Sequence, residues 1–197
     1  MDTYRTIASP SQGTYSQLRS KFLAFAAPVR TVDDAMAFVA GIQKEYYDAR
    51  HVCYAYMLGA ARDTFRANDN GEPSGTAGKP ILGQINSHEL TDIVIAVVRY
   101  FGGIKLGTSG LIQAYKAAAA EAIVAAQIVE KTVDETLCIS FDYLLMNDVM
   151  RIVKEETPTV VAQTFDNLCT MTLAQRASLM PRLRARLENL REVTIEP

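Results

Sequence analysis

The chain has 197 residues, 49% of them apolar, and its 20 Lys and Arg residues nearly balance its 22 Asp and Glu residues. This length and apolar content suffice for one large or two small packed domains, which argues against disorder. The near-neutral charge neither favours nor excludes RNA, because a local basic patch would suffice. Three widely spaced cysteines and two histidines argue against a disulfide framework or a zinc site, so we expect no metal or cofactor.

The chain also lacks the signals of secretion and membrane insertion. Its N-terminus has no apolar h-region, and no stretch reaches the roughly 20 apolar residues of a membrane span. We therefore expect a cytoplasmic protein without a membrane partner. No motif specific for DNA stands out.

The first elements are predicted from β-like runs and one capping signal. Residues 4–7 and 18–29 read as strands separated by a Ser-Pro-Ser-Gln-Gly turn cluster. Thr31, followed three residues later by Asp34, resembles a capping box. Apolar residues at helical spacing then predict a helix that ends near Tyr47.

Two further strands and a long helix follow. Residues 51–58 are β-like, and the nearly continuous aliphatic run 91–98 predicts a strand buried on both faces. The alanine-rich run 111–128 has the strongest helix propensity in the chain, and Thr108 or Ser109 is placed to cap it.

The C-terminal third predicts a second domain. Its pattern is strand, helix, strand, strand, helix, strand, over 136–142, 145–156, 159–165, 168–173, 179–190 and 192–196. This βαββαβ order is that of a ferredoxin-like sandwich, with both helices on one face of an antiparallel sheet. Asp166 and Asn167 form the expected hairpin turn. We therefore expect an α+β protein with domains over 1–132 and 133–197.

Two glycine-rich stretches, residues 69–80 and 99–110, carry the candidate site. The second lies between a buried strand and a helix N-terminus, where free N–H groups and the helix dipole favour an anion such as a phosphate. Basic side chains would add charge, glycines would let a ligand approach closely, and aromatic rings could stack on a base. The candidate ligand contacts are Asn70, Glu72, Ser74, Thr76, Lys79, Arg99, Tyr100, Phe101, Gly102, Gly103, Lys105, Thr108 and Ser109.

A plainer interpretation stays open for these stretches. The glycines could serve only tight turns and close helix–sheet packing, with Tyr100 and Phe101 in the core. The nucleotide motifs are excluded by spacing. A Walker A loop would need glycine at Pro73 and a hydroxyl residue at Pro80, and the glycines of the second stretch do not follow the dinucleotide fingerprint.

A hydrolytic site is the alternative function. His51, Glu72 and Ser74 could meet in space, since such groups need proximity rather than adjacency in sequence. Ser74 is one residue off the Gly-x-Ser-x-Gly elbow and no strand leads into it.

A group of arginines lies around the last predicted helix and has two possible interpretations. It could form a solvated charged face or a stripe that faces RNA. Its members are Arg176, Arg182, Arg184, Arg186 and Arg191.

The stretches 70–80 and 99–111, with Ala114 and Tyr115, resemble the signature of the IMPACT family (UPF0029) in its bacterial two-domain, YigZ-like form. Residues 20–22 and 51–56 resemble the family's earlier blocks. The resemblance implies an N-terminal domain like ribosomal protein S5 domain 2 and a ferredoxin-like C-terminal domain similar to one of elongation factor G. Two departures are Asn70, where the family often has an acidic residue, and Ser109, where it often has glycine.

Both parallels point to the translation machinery, and eukaryotic members of the family are translational regulators. The leading hypothesis is a non-enzymatic cytosolic protein linked to translation regulation, which binds RNA or ribosome-associated partners through the two glycine-rich loops. The second hypothesis is a small-molecule or peptide hydrolase. The third is a regulatory module that binds a protein partner through its first domain.

Overall fold

Strands and helices alternate along the chain in a mixed α/β fold, of which the computed structural model describes residues 2–166 and 168–196. These residues divide into two compact units: Tyr4–Lys131, and residues 2–3 together with 132–196. In chain order the elements are β1 (Thr3–Ile7), β2 (Ser11–Gln17), β3 (Ser20–Pro28), α1 (Val32–Glu45), β4 (His51–Leu58), β5 (Thr64–Asn68), α2 (Gly78–Ser87), β6 (Ile93–Tyr100), α3 (Gly107–Val124), β7 (Ile128–Thr132), β8 (Asp134–Asp142), α4 (Met146–Glu156), β9 (Thr159–Phe165), β10 (Leu168–Arg176), α5 (Met180–Glu188) and β11 (Val193–Glu196).

The sheet of the first unit has the strand order β2-β3-β6-β4-β5, and its neighbouring strands are antiparallel. Central strand β6 is buried on both faces, as its aliphatic run predicts. Ile93, Ile95 and Val97 pack into the core shared with α2 and α3. The alternate residues of β6 pack into the core shared with α1. The sheet is therefore sandwiched between helices.

The prediction of one strand over 18–29 after a turn is wrong at its start. Residues 11–17, assigned in part to the turn, form edge strand β2, which pairs with β3. Leu18 and Arg19 make the turn, with φ of 44° and 65°. Tight hairpin turns with positive φ usually contain glycine or asparagine, so this pair gives no turn signal. The exposed edge position of β2 explains its polar composition.

The two long predicted helices of the first unit are present. Thr31 caps α1 and accepts a hydrogen bond from the Asp34 N–H at 3.1 Å, as the capping signal predicts. Helix α3 begins earlier than expected, at Gly107. Leu106 is its N-cap and no side chain caps it, so the prediction of a Thr108 or Ser109 cap is wrong. Three elements of the first unit were not predicted, because their sequence patterns are short or mixed. They are strands β5 and β7 and helix α2.

The βαββαβ order of the second unit is confirmed. Its sheet has the order β11-β8-β10-β9, with antiparallel neighbours. Inward residues of β8 and β10 and the apolar sides of α4 and α5 form one core, so both helices cover the same face. The hairpin between β9 and β10 is confirmed by their pairing, whereas Asn167 of the predicted turn lies outside the described residues.

Helix length and composition bear on membrane insertion. Within residues 2–166 and 168–196, no helix combines the length and apolar content needed to cross a bilayer.

Candidate functional site

Both glycine-rich stretches lie at the same end of the first unit's sheet. Strands β5 and β6 end there and β4 begins there, because both run antiparallel to β4. At this end His51 is paired directly with Arg99. A cleft of about 750 Å³ opens there. Its lining residues come from both stretches and from the residues around the start of β4: Asp48, Arg50, His51, Glu72, Pro73, Arg99, Tyr100, Phe101, Lys105, Leu106, Gly107, Thr108 and Leu111.

A buried ion pair joins the two stretches beneath this cleft. Arg99 Nη1 donates to Glu72 Oε1 at 2.7 Å, and both side chains are more than nine-tenths buried. The Tyr115 hydroxyl donates to the same oxygen at 2.8 Å. Arg99, expected as a free anion contact, is therefore committed to an internal partner. Such a pair needs its hydrogen bonds to offset the cost of desolvating two charges.

The network continues to Cys53, which lies in the family-like block 51–56 but was not among the candidate site residues. Its thiol lies 3.3 Å from the Tyr115 hydroxyl and donates to the Asp69 carbonyl at 2.9 Å. Burial raises the pKa of the Cys53 thiol to about 12, and burial likewise raises the pKa of Tyr115. Both groups are therefore neutral at physiological pH, and Cys53 is not a reactive thiolate.

Arg99 also positions an aromatic ring at the mouth of the cleft. Its guanidinium carbon lies 5.7 Å from the Phe22 ring centroid and 5.6 Å from that of Phe101. Phe22 is fully buried, whereas Phe101 is 55% exposed. Phe101 is thus a surface platform, and the interpretation that placed it in the core is wrong.

Backbone contact explains Gly102. A Cβ at this position would lie 2.1 Å from the Arg19 carbonyl carbon, and the Gly102 N–H donates to Ser20 Oγ at 3.2 Å. Only glycine allows the loop to approach the β2–β3 hairpin this closely. Gly103 differs: it has φ of +88° and a Cβ would meet nothing within 4 Å.

The first stretch is held by a carboxylate of its own. Asp69 accepts hydrogen bonds from the backbone N–H groups of Gly75, Ala77 and Gly78 at 2.8–3.0 Å. Burial opposes ionisation of Asp69, but these bonds lower its pKa on balance. The N-terminus of α2 is therefore already filled by an internal anion, which leaves it poorly suited to an external phosphate.

The remaining candidates of the first stretch have mostly structural contacts. Asn70 donates from Nδ2 to the Val52 carbonyl at 3.1 Å, and the buried Thr76 donates to the Pro73 carbonyl at 2.7 Å. Ser74 and Lys79 are exposed but do not line the cleft.

The second stretch has a different character. Gly107 and Thr108, at the start of α3, line the cleft, and no side chain caps this helix. Its first N–H groups therefore keep the capacity to bind an anion. Lys105 is exposed beside them, and Arg50, which lies outside both motifs, adds a second exposed cation to the lining. Ser109 is exposed on the first turn of α3.

The residues of the hydrolytic alternative are only partly brought together. His51 Nδ1 lies 2.9 Å from the Asn70 carbonyl oxygen, and Glu72 is engaged by Arg99 and Tyr115. Among the described residues, no hydrogen bond links His51, Glu72 and Ser74 to one another.

Tyr100, a candidate of the second stretch, has an internal partner. Its hydroxyl donates to Asp48 at 2.7 Å, and this bond, with burial, raises the pKa of Tyr100 to about 12.

Two further sets of residues bear on a second site: possible metal ligands and the C-terminal arginines. In the part of the chain that the structure describes, no three His, Cys, Asp or Glu side chains are grouped to hold a metal ion. Arg182 and Arg186 form ion pairs with Glu156, and Arg186 also with Glu155. These pairings favour the interpretation as a solvated face for Arg182 and Arg186.

The comparisons with known proteins agree with the resemblance seen in the motifs. The family model "Impact N-terminal domain" matches residues 18–123. The chain is 34% identical over 155 residues to IMPACT family member YvyE of Bacillus subtilis, covering 79% of this chain and 71% of that one. It is 41% identical over 117 residues to IMPACT family member YigZ of Escherichia coli, covering 58% and 57%.

A solved structure is similar over nearly the whole length. The crystal structure of a hypothetical protein aligns with a TM-score of 0.77 at 28% identity, covering 99% of this chain and 97% of that one. The family match spans both glycine-rich stretches and the strands that bring them together. The chain therefore belongs to the IMPACT family.

Proposed function

We propose that this protein is a non-enzymatic, cytosolic binding protein linked to translation regulation, and that it binds RNA, free or on ribosome-associated partners, through the cleft. The observation that carries the proposal is the chemistry of the second stretch. The uncapped start of α3, Lys105 and Arg50 line one cleft together with the exposed ring of Phe101. Cations and helix N–H groups suit phosphates, and an aromatic face suits bases.

The family supports the link to translation. The IMPACT resemblance implies an S5 domain 2-like first domain and a ferredoxin-like second domain, which we propose for residues 1–132 and 133–197. The βαββαβ order of the second unit supports the ferredoxin-like assignment. Ribosomal proteins and elongation factors work on RNA, so an RNA ligand fits domains of these kinds.

RNA binding measured against salt concentration tests the proposal. We expect affinity to fall as salt rises, because each phosphate contact releases counterions. Lys105→Glu and Arg50→Glu should each weaken binding by roughly tenfold and lower the salt slope by about 1.

The matched control is Lys116→Glu, which reverses an exposed lysine of α3 that does not line the cleft. It should leave affinity within about twofold. Arg99 is unsuitable for this test because its removal breaks a buried ion pair. Wild-type protein that binds neither RNA nor ribosomes would refute the proposal, as would equal losses in the cleft variants and Lys116→Glu.

A second candidate function is hydrolysis of a small molecule or peptide. One observation favours it: His51 and Glu72 line the same cleft, whose volume is in the range of small-ligand pockets. Turnover in a metabolite and peptide screen that His51→Ala abolishes would support this candidate. Turnover unchanged in His51→Ala, or none at all, would argue against it.

A further inference from the structure

One carboxylate oxygen in the cleft wall indicates what kind of ligand fits. Glu72 Oε1 accepts both bonds described above, and among the described residues no hydrogen bond reaches Oε2. Arg99 Nε also has no hydrogen-bond partner among the same residues, but it is buried out of reach of the cleft. Both side chains are over nine-tenths buried and line the cleft. Glu72 Oε2 is therefore the oxygen of this pair that remains for a ligand, and a ligand with hydrogen-bond donors would fit it.

The Phe101 platform adds the requirement of a flat apolar group. Arg99 covers one face of the ring, at 5.6 Å, while more than half of the residue remains exposed. Because Arg99 is itself fixed by Glu72 and packed on Phe22, one face of the Phe101 ring packs on a positioned side chain. Such preorganisation reduces the entropic cost of stacking.

The candidate anion contacts line the same cleft. Lys105 and the first residues of α3 favour a phosphate. A phosphate, a planar ring and hydrogen-bond donors occur together in a nucleotide. A bare phosphate would leave Phe101 and Glu72 Oε2 without a partner.

We infer that the cleft takes one unstacked nucleotide of a single-stranded RNA, with its phosphate at the start of α3 and its base on Phe101. This inference rests on the proposed function and narrows it to one class of RNA. In a duplex the bases are stacked on each other, so their faces are not available to an aromatic side chain.

Fluorescence anisotropy with one labelled RNA strand of about 12 nucleotides, alone and annealed to its complement, tests the inference. We expect the single strand to bind at least about fivefold more tightly than the duplex. Phe101→Leu keeps an apolar side chain but removes the ring, and should abolish most of this preference. Phe101→Tyr should keep it.

Phe65→Leu is the matched control, because Phe65 is 58% exposed on β5 and does not line the cleft. It should behave as wild type. Equal binding of single strand and duplex, or a preference that survives Phe101→Leu, would overturn the inference while leaving RNA binding intact. No binding of either RNA would instead refute the proposed function.

An unlabelled nucleoside monophosphate distinguishes the source of the nucleotide. If the ligand is a strand, the mononucleotide should compete at least about a hundredfold more weakly than the unlabelled strand, because it lacks the neighbouring phosphate contacts. Competition as effective as that of the strand would overturn the inference in favour of a free nucleotide.

Discussion

The two glycine-rich stretches look alike in sequence but use their helix N-termini in opposite ways. In the first, Asp69 accepts hydrogen bonds from the Ala77 and Gly78 N–H groups at the start of α2, and from the Gly75 N–H in the loop before it. In the second, α3 begins without a side-chain cap and its first residues face the cleft. The comparison teaches that glycine density alone does not mark a ligand site: the N–H groups at the start of α2 already have an internal acceptor, whereas those at the start of α3 have no side-chain cap.

The largest effect should come from breaking the ion pair that joins the two stretches. Arg99→Met leaves Glu72 buried and unpaired, so we expect the free energy of unfolding to fall by about 3–5 kcal/mol. Urea denaturation measures this change. Adding Glu72→Leu to the same chain should recover much of the loss, because no buried charge then remains. An Arg99→Met protein as stable as wild type would contradict the assignment of a buried ion pair between Arg99 and Glu72.

A smaller effect is expected from the anchor of the first stretch. Asp69→Ala leaves three backbone N–H groups without their acceptor and should lower the free energy of unfolding by about 2–4 kcal/mol. The matched control is Asp134→Ala, which removes an exposed carboxylate for which no such bonds occur within residues 2–166 and 168–196.

The pH dependence of stability sharpens this test. The folded-state pKa of Asp69 lies below its ordinary value of 3.8. Its contribution is therefore complete above about pH 4 and is lost as the pH falls through the folded-state pKa. The stability difference between wild type and Asp69→Ala should shrink on acidification below pH 4. A difference that is constant with pH would show that the carboxylate charge is not what matters.

The smallest effect is expected at the start of α3. Thr108→Ala and Ser109→Ala remove hydroxyls that cap nothing, so each should change the free energy of unfolding by less than about 0.5 kcal/mol. A loss of about 1 kcal/mol, as is typical when an N-cap is removed, would show that α3 is capped after all. The contrast between the two helices would then disappear.

The sequence predicts those elements whose residues follow one regular pattern of burial. Strand β6 is recognisable because both of its faces are buried, and the second unit is recognisable because its alternating patterns are regular. The Leu18–Arg19 turn is not recognisable, since its φ values are imposed by the pairing of β2 with β3 rather than by glycine or asparagine.

The candidate site was predictable only in outline. The glycine-rich motifs located it, but the Arg99–Glu72 pair spans 27 residues and depends on strand order, which periodicity does not specify. The acceptor role of Asp69 was missed because its donors lie six to nine residues further along, beyond the range of ordinary capping motifs. Arg50 was missed because it belongs to neither motif.

The close approach of Gly102 to the Arg19 backbone has a practical consequence for protein engineering. The β2–β3 turn is a surface hairpin, a location where peptide tags and loop extensions are ordinarily tolerated. Here the turn supports the segment that carries Phe101, through contact with Gly102 and its bond to Ser20. A tag inserted between Leu18 and Arg19 would displace the backbone that contacts Gly102, and with it Phe101 at the mouth of the cleft. Fusions designed to leave the cleft undisturbed should therefore use other surface loops.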